Sequence, residues 1–532
     1  MLGMLLHIVQ GSIPFLADYY FVKGMIVIKR LMVLIFTAAL VFSSCKAEKS
    51  ETAEQTVSAQ TTAAETETEA SETTIMTVSA DEEEKTKLSE NGFSSPEMEE
   101  QYLGKTDSLK ALFDEISEVV EFPAINITTL DEEKILSKDE YVTSVVDVVN
   151  CDESFVLSAE AGVKVRGNST ADQDDEKPYR IKFTEKHNVL GLHDGKEYKS
   201  WVLLRSYWNL CPDYMAFKLA KAIFDGEYYC TDCAYVNLFI NGKYAGLYLL
   251  AEQNQAAKGR VEVYEPSKGE TQTEIGFLIE LDNYAGEEHP FFTVSHGDSE
   301  FTDINGETRS FDNKNYSVKS EITSDEQLKF IEKYTDGVYE ILWQAVRNEK
   351  VMMFDSDYNV VSAEGTFSSP QEAVSAVIDL DSLVNMLILE ELMQNYDVGA
   401  GSFYMAVDFS PESIYKKMTF LAPWDFNWTC YEDPDRNYYA GAFQKVLDDG
   451  IDRSNPWFTT AMKADWFREL VKKKWAKLSA DDSLHKVTEQ VAADISLLRN
   501  DLKDDSWRVD SGMGVVDFVN RRIKWLNSQW GE

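Results

Sequence analysis

Strand-like patterns fill the first half of the folded part of this chain, and helical patterns fill the second half. The clearest strand signal is a hairpin, in which Asn241-Gly242 separates two alternating apolar runs at 234–240 and 244–250. Asn-Gly favours the tight turn that joins two antiparallel strands. Residues 325–347 and 381–396 instead repeat apolar side chains at helical spacing. This order of elements predicts an α+β fold with a β-rich N-terminal half and a mainly helical C-terminal half.

The first 45 residues have the organisation of an export signal. Lys29 and Arg30 precede a short apolar run, and small residues precede Cys45. An apolar run of this length is too short to span a bilayer comfortably. We therefore expect a signal peptide over 1–45 (with Met25 as the better start), lipidation of Cys45, and anchoring on the outer face of the bacterial cell membrane. Phe42 stands where lipoprotein signals usually carry Leu, so cleavage by the ordinary signal peptidase is the alternative.

Residues 46–100 are rich in Glu, Thr, Ala and Ser and contain few large apolar side chains. Such a segment cannot bury enough apolar surface to offset the entropy lost on ordering. The sequence therefore predicts a disordered acidic tether over 46–100. The folded part is then expected at 101–532, with its β-rich lobe at 120–255 and its mainly helical lobe at 256–532.

The net charge of the chain narrows the classes of partner. There are 51 Lys and Arg against 92 Asp and Glu, which gives a formal net charge of −41. So acidic a surface repels phosphate backbones, and nucleic-acid binding is not expected. Abundant carboxylates do leave room for sites that bind divalent cations.

The clearest chemical signal lies between residues 383 and 428. A helix brings Asn395-Tyr396-Asp397 to its C-terminal end, Ser402 follows before a strand, and a hairpin returns the chain to Asp425-Phe426-Asn427. In protein kinases, an Asp that orients the acceptor hydroxyl is followed by a metal-binding Asn, a two-stranded turn and an Asp-Phe-Gly whose Asp binds Mg²⁺. The order here is the same, with Ser402 at the position of that Asn and Asn427 at that of the Gly.

Several further stretches, taken together and in order, resemble the spore coat protein H (CotH) kinase family of atypical kinases from bacterial surfaces and spores. The stretches that carry the resemblance are Ile125–Thr128, Val165–Thr170, Lys177–Phe183, Trp201–Leu204, Leu238–Gln253, Gly276–Asp282, Glu391–Asp397 and Pro423–Asn427. They extend from about residue 120 to about residue 430, and their order is more specific than any one of them.

The resemblance implies an atypical, kinase-like fold with two lobes and ATP-dependent phosphorylation of Ser or Thr on a protein, with Mg²⁺ or Mn²⁺. Asp397 becomes the candidate catalytic or metal-positioning carboxylate, and Asp425 the candidate metal ligand. The resemblance also implies roles for other residues. Ser402 and Asn427 are candidates for the metal, and Arg180 or Lys182 for the phosphates. The loop that covers the nucleotide would consist of Arg166, Gly167 and Asn168, and Glu252 would be a hinge or ion-pair carboxylate. The family usually has Asp where this chain has Asn427, so the expected metal cluster lacks one negative charge.

Two other hypotheses about the function remain open. A kinase-like scaffold without activity could serve adhesion or hold carbohydrates and other partners at the cell surface. A glycoside hydrolase would need a pair of carboxylates at a fixed separation, and no such pair is evident in the sequence. The kinase reading predicts that Asp397, Asp425 and a basic strand residue meet in one cleft.

Overall fold

The computed structural model describes residues 92–531, except for 120–121, 173–176, 206–208, 287–288, 297–299, 303–307, 432, 437–451 and 499–505. The predicted signal peptide, Cys45 and the predicted tether up to residue 91 lie outside the described residues. Within the described part of the chain, no helix has both the length and the apolar composition that crossing a bilayer requires.

The first seven strands form a closed barrel. They are β1 (Ala124–Thr129), β2 (Val142–Val149), β3 (Leu157–Val165), β4 (Tyr179–His187), β5 (Tyr198–Leu204), β6 (Cys233–Ile240) and β7 (Lys243–Glu252). Their order around the barrel is β1-β2-β3-β4-β5-β7-β6. All neighbours are antiparallel except β1 and β6, which pair in parallel and close the barrel.

Alternation along the strands decides which side chains fill the barrel. On β4, Tyr179, Ile181 and Phe183 are buried among the other inward-facing side chains, whereas Arg180 and Lys182 lie on the opposite face. Successive side chains of a strand point to opposite faces of the sheet, so this strand is apolar inside and basic outside. The barrel therefore presents two basic residues on one side of its surface.

A second sheet has five strands, all from the second half of the chain. The remaining strands are β8 (Gly276–Leu281), β9 (Phe291–Val294), β10 (Glu300–Thr302), β11 (Thr308–Ser310), β12 (Lys314–Val318), β13 (Met352–Phe354), β14 (Val360–Ser362), β15 (Phe403–Asp408) and β16 (Thr419–Phe420). Five of them pair in the order β16-β15-β8-β12-β9, and β10-β11 and β13-β14 form separate hairpins. Every residue of β8 and β15 is buried, which explains their nearly continuous apolar sequences.

Helices cover the second sheet and the outer face of part of the barrel. Apart from a single turn at Leu192–Gly195, they are α1 (Pro96–Leu103), α2 (Thr106–Val119), α3 (Cys211–Phe224), α4 (Asp325–Arg347), α5 (Pro370–Val377), α6 (Leu380–Met393), α7 (Pro456–Ala461), α8 (Asp465–Ala480), α9 (Ser483–Leu497) and α10 (Ser506–Trp530). The predicted α+β class is confirmed. The largest apolar core joins side chains from α3, α6 and α8 with the outward-facing side chains of β5 and β7.

Local sequence signals explain where the key helices begin and end. Ser324 caps α4 in a reciprocal capping box with Gln327, and the helix occupies the residues that the apolar spacing predicts. Asp379 caps α6, which ends when Gln394 adopts a left-handed conformation at φ 49°. The sequence pattern placed the end of this helix at residue 396, three residues later than the structure does.

The folded part begins earlier than the sequence predicted. Residues 96–100 belong to α1, although the composition assigned them to the tether. Phe93 and Met98 are buried against Val145 of the barrel, and the Tyr102 hydroxyl donates a 2.6 Å hydrogen bond to Asp147. Two apolar side chains and hydrogen bonds from Ser94 and Tyr102 therefore hold the end of an otherwise polar segment on the barrel.

We expect Glu390→Gln to stabilise the protein at alkaline pH. Glu390 is 2% exposed and its Oε2 atom has no hydrogen-bond partner within the described chain. Burial raises the pKa of this carboxyl from 4.5 to about 8. When folding raises the pKa of a carboxyl, its contribution to the stability of the folded state is fully present below the unfolded-state pKa. That contribution is lost as the pH rises through the folded-state pKa.

Thermal unfolding of the wild type and Glu390→Gln measured at several pH values checks this prediction. The variant should unfold at a higher temperature than the wild type at pH 8 to 9, with little difference near pH 4. Glu489→Gln, at an exposed position of α9, is the matched control and should show no such pH dependence. Equal stability of the wild type and Glu390→Gln at every pH would contradict the assignment.

Candidate active site

Asp397 lies in the irregular segment that connects α6 to β15. Its backbone N–H donates to the side-chain oxygen of Asn395 at 3.0 Å, and its carbonyl accepts hydrogen bonds from Ala400 and Gly401 at 2.7 and 2.9 Å. These bonds form a tight turn at the end of a buried helix. The carboxylate of Asp397 is half-buried, and its Oδ1 atom accepts a 2.8 Å hydrogen bond from the Nε atom of Arg453.

Asp425 follows β16 and has a left-handed backbone conformation, with φ 64°. Few residues other than Gly adopt this conformation without a compensating contact, although Asp does so more readily than most. Ser402 donates its hydroxyl to Oδ2 of Asp425 at 3.5 Å, and the amide nitrogen of Asn427 donates to Oδ1. The structure thus brings together the side chains of Asp425, Ser402 and Asn427.

The electrostatics of Asp425 show that Asp397 is close to it. Burial is the main cause that raises the pKa of Asp425 to about 6, and the negative charge of Asp397 raises it further. The two carboxylates therefore interact electrostatically, although they belong to segments that precede and follow a hairpin. The positive charge of Arg166 has the opposite effect and lowers the pKa of Asp425.

Arg166 enters this site from the loop after β3. Burial lowers the pKa of its guanidinium, whereas the charges of Asp425, Tyr404 and Asp213 raise it. The guanidinium carbon lies 5.7 Å from the centre of the Trp424 ring, within the range of a cation–π contact. Arg166 is therefore the cation placed beside the acidic side chains.

Arg180 adds a second positive charge near Arg166. The charge of Arg180 lowers the pKa of Arg166, so the two guanidinium groups are neighbours. The Nε atom of Arg180 is buried and finds no acceptor among the described residues. A buried donor without a partner is costly in a folded protein, so a water or a ligand is needed to supply an acceptor for this atom.

Asp213 is an acidic residue of this site that the sequence patterns missed. It is 5% exposed in the first turn of α3, and its Oδ1 atom accepts a 2.9 Å hydrogen bond from the backbone N–H of Phe426. The apolar spacing placed the start of this helix at Tyr214, whereas the structure begins it at Cys211. The signal that could have found Asp213 is Pro212, because Pro followed by an acidic residue is typical of the first turn of a helix.

A largely buried cluster of one Lys and two acids lies on the second sheet. Lys319 bridges Glu280 at 2.8 Å and Asp282 at 3.2 Å. Burial is the main cause that raises the pKa of Glu280, and its charge in turn raises the pKa of Asp425. Tyr404 also hydrogen-bonds Glu280. Lys319 is thus the cation that Glu280 and Asp282 share.

Other predicted residues make different contacts. Glu252 is fully buried and accepts from His193 at 2.9 Å and from Arg260 at 3.4 Å, so its contacts are with a cluster at the end of β7. Asn168 is exposed, and Lys138 donates to its side-chain oxygen at 3.4 Å. Lys182 lies two residues after Arg180 on the same face of β4.

Gly167 allows the Arg166 loop to turn sharply. Its φ is 94°, and a Cβ atom at this position would lie 2.4 Å from Oγ1 of Thr170. Any other residue would therefore be strained and would also clash with Thr170.

The acids of this site do not form a metal cage by themselves. Among the described residues, no group of three or more His, Cys, Asp or Glu side chains is arranged to hold a metal ion. A divalent cation here would need oxygen ligands from Ser402, from water or from the phosphates of a nucleotide in addition to the two Asp side chains. Mg²⁺ commonly binds in this way, with one or two carboxylates and substrate phosphates.

Comparison with known proteins gives one family match. The model of the family described as CotH kinase protein matches residues 163–526, which is well over half of the chain. The matched range includes Arg166, Arg180, Asp397 and Asp425. A search of curated proteins finds no match to this chain.

Proposed function

The chain belongs to the CotH kinase family, and on this premise we propose that it is an exported atypical protein kinase. It transfers the γ-phosphate of ATP to Ser or Thr side chains of surface or secreted proteins. The observation that carries the proposal is the surroundings of Asp425: Ser402 donates a hydrogen bond to its carboxylate, Arg166 lies over the ring of the preceding Trp424, and the charges of Asp397 and Arg166 act on it. Phosphoryl transfer requires acidic side chains that bind a metal and orient the acceptor hydroxyl, and it requires cations that bind the phosphates.

The residues present fit a divalent metal, Mg²⁺ or Mn²⁺. The negative charges of Asp397 and Asp425 repel each other, and this repulsion contributes to the raised pKa of Asp425. A cation between them would relieve it. Asp425, Asp397 and Ser402 would hold the metal with oxygen atoms, and Asn427 would join them if its amide oxygen faced inward. When bound, the metal neutralises charge on the phosphates.

The residues present also fit the phosphates of ATP. The charges of both Arg180 and Asp425 act on Arg166, and the Nε atom of Arg180 has no acceptor within the described chain. A phosphate would supply that acceptor, because guanidinium groups bind phosphate oxygens strongly. The loop of Arg166, Gly167 and Asn168 would cover the nucleotide, with Lys182 as an additional cation.

Asp397 has a different role from Asp425 in this proposal. Arg453 holds one of its carboxylate oxygens, which fixes the direction of the other. Asp397 then orients the hydroxyl of the acceptor Ser or Thr, and Asp425 binds the metal. The barrel and the helical half would be the two lobes on either side of the nucleotide.

The place of action in the proposal follows from the N-terminal sequence. A signal peptide ending at Cys45, a lipid on that residue and an acidic tether would display the kinase on the outer face of the cell membrane. The charge of −41 is consistent with protein rather than nucleic-acid partners.

Two observations favour a second candidate, a kinase-like surface scaffold without activity. Arg453 occupies one oxygen of Asp397, and Asn427 stands where the family usually has an acid. Both features reduce the negative charge offered to a metal. A scaffold would keep the fold and bind adhesion partners or carbohydrates without transferring phosphate.

Incubation of the purified protein with ATP labelled at the γ-phosphate and with Mg²⁺ or Mn²⁺ distinguishes the two candidates. The kinase transfers label to itself or to extracted surface proteins, and a chelator of divalent metals abolishes the transfer. A scaffold transfers no label under any of these conditions.

We further expect Arg180→Gln to raise KM for ATP about tenfold, with a smaller effect on kcat. The variant removes a charge-assisted bond to phosphate, which typically contributes about 1.5 to 3 kcal/mol. Lys186→Gln is the matched control, since Lys186 is an exposed cation on the same strand. An unchanged KM in Arg180→Gln would remove this residue from the phosphate site.

A further inference from the structure

Helix α3 holds the segment that carries Asp425 at two points. The Phe426 ring lies 6.3 Å from the ring of Phe217 in an edge-to-face contact, and the Phe426 backbone N–H donates to Asp213 at 2.9 Å. Asp213 and Phe217 are four residues apart and therefore lie on the same face of the helix. Trp424, on the other side of Asp425, also contacts Phe217, with 5.5 Å between ring centres.

The backbone of Asp425 needs such support. Its φ of 64° is a left-handed conformation, which costs a residue with a side chain about 1 kcal/mol or more. The peptide that follows Asp425 carries the N–H of Phe426, so a bond to this N–H fixes the rotation of the Asp425 backbone. Asp213 is the acceptor of that bond and is itself buried.

We propose that Asp213 is a positioning residue, which directs the Asp425 carboxylate into the site by holding the Phe426 amide. It acts through the backbone and does not need to touch metal or nucleotide. Arg166 balances its charge, because the carboxylates of both Asp213 and Asp425 raise the pKa of Arg166. The hydrogen bond between Asp213 and the Phe426 amide does not depend on the proposed function. Only its expected effect, which is on metal binding at Asp425, rests on that proposal.

Hydrogen exchange of the Phe426 amide tests the positioning role without any assay of activity. In Asp213→Ala the amide loses its acceptor, so its exchange should accelerate about tenfold or more. In Asp213→Asn the side-chain oxygen remains an acceptor, and the exchange should stay close to that of the wild type. Asp213→Ser is a second truncation in case the Ala variant does not fold, and it should behave like Ala.

Affinity for Mn²⁺ in the presence of ATP is the second readout. We expect Asp213→Ala and Asp213→Ser to weaken Mn²⁺ binding about tenfold, and Asp213→Asn to restore most of it. Asp494→Ala is the matched control, because Asp494 accepts a 2.7 Å hydrogen bond from Tyr214, the next residue of α3, without contacting Phe426. It should leave both readouts unchanged.

The outcomes distinguish failure of the positioning role of Asp213 from failure of the proposed kinase function. Wild-type exchange of the Phe426 amide in the truncated variants would overturn the positioning role. Loss of Mn²⁺ binding in Asp213→Asn to the same extent as in Asp213→Ala would also overturn it, because charge and not the amide bond would then be responsible. A wild-type protein that binds no Mn²⁺ and transfers no phosphate would refute the proposed function, and amide exchange alone would then decide the role of Asp213.

Discussion

Asp425→Asn is expected to reduce phosphate transfer at least about 100-fold while leaving the fold intact. The amide has nearly the shape of the carboxylate and can keep the contact with Ser402, but it lacks the charge that binds a divalent metal. Loss of a group that stabilises charge at the reacting centre typically costs a factor of about 100 to 1,000. Steady-state rates with Mg²⁺ and with Mn²⁺ measure the loss.

Stability distinguishes this functional loss from damage to the fold. Burial and the nearby charge of Asp397 disfavour the ionised form of Asp425 and raise its pKa to about 6. Ionisation of this residue therefore lowers stability as the pH rises through that value. In a chelator, Asp425→Asn should unfold at the same temperature as the wild type or higher at pH 8.

Two variants serve as controls for this experiment. Asp481→Asn makes the same chemical change at an exposed position and should leave the rate unchanged. Asp397→Asn should also lose transfer but retain more of the metal affinity, because Asp397 is already paired with Arg453. Transfer in Asp425→Asn within a few fold of the wild-type rate would exclude Asp425 as the metal ligand.

Arg522→Met is expected to cause the largest loss of stability. Arg522 and Glu391 are both completely buried, and Nη2 of Arg522 lies 2.7 Å from Oε2 of Glu391. Removal of one partner from a buried ion pair leaves an unpaired charge in the core and costs about 3 to 5 kcal/mol. Thermal or denaturant unfolding measures this loss.

The position of Arg522 explains why activity should fall as well. Its guanidinium also donates to the carbonyls of Glu391, Pro434 and Arg436, so it connects α10 to the end of α6 and to the segment that follows Asp425. Asp397 lies just beyond that end of α6. Without Arg522 the two acids of the site lose a shared anchor.

The neighbouring residue provides a matched control. Arg521 is 59% exposed and lies 3.4 Å and 3.3 Å from Asp433 and Asp435. Exposed ion pairs contribute about 0 to 1 kcal/mol, so Arg521→Met should have little effect. The double variant Glu391→Gln with Arg522→Met should recover part of the stability. Equal effects of Arg522→Met and Arg521→Met would contradict the role assigned to the buried pair.

Local sequence signals predicted the elements of the fold well. The turn at Asn241-Gly242 has the positive φ angles, 51° and 73°, that its residue types favour. Helix α4 occupies the residues predicted from its apolar spacing. Such signals depend on neighbours within a few residues, and they can be read from the chain alone. The spacing that pointed to Asp397, Ser402 and Asp425 is of the same kind.

Closure of the barrel could not be predicted in this way. It depends on the parallel pairing of β1 with β6, in which Ile125 lies opposite Leu238. These two strands are separated by four others along the chain, and each has the same alternation that an open sheet would require. Only the packing of all seven strands decides that the sheet closes.

The sequence by itself determined which segments become strands and helices, the class of the fold, and the candidate acids Asp397 and Asp425, because each of these leaves a local pattern. Only the tertiary structure decided which cation or amide each acid meets. Asp397 contacts Arg453, Asp213 contacts the amide of Phe426, and Glu391 contacts Arg522. These partners are distant in sequence, and a charged side chain carries no local sign of the group that it will meet once both are buried.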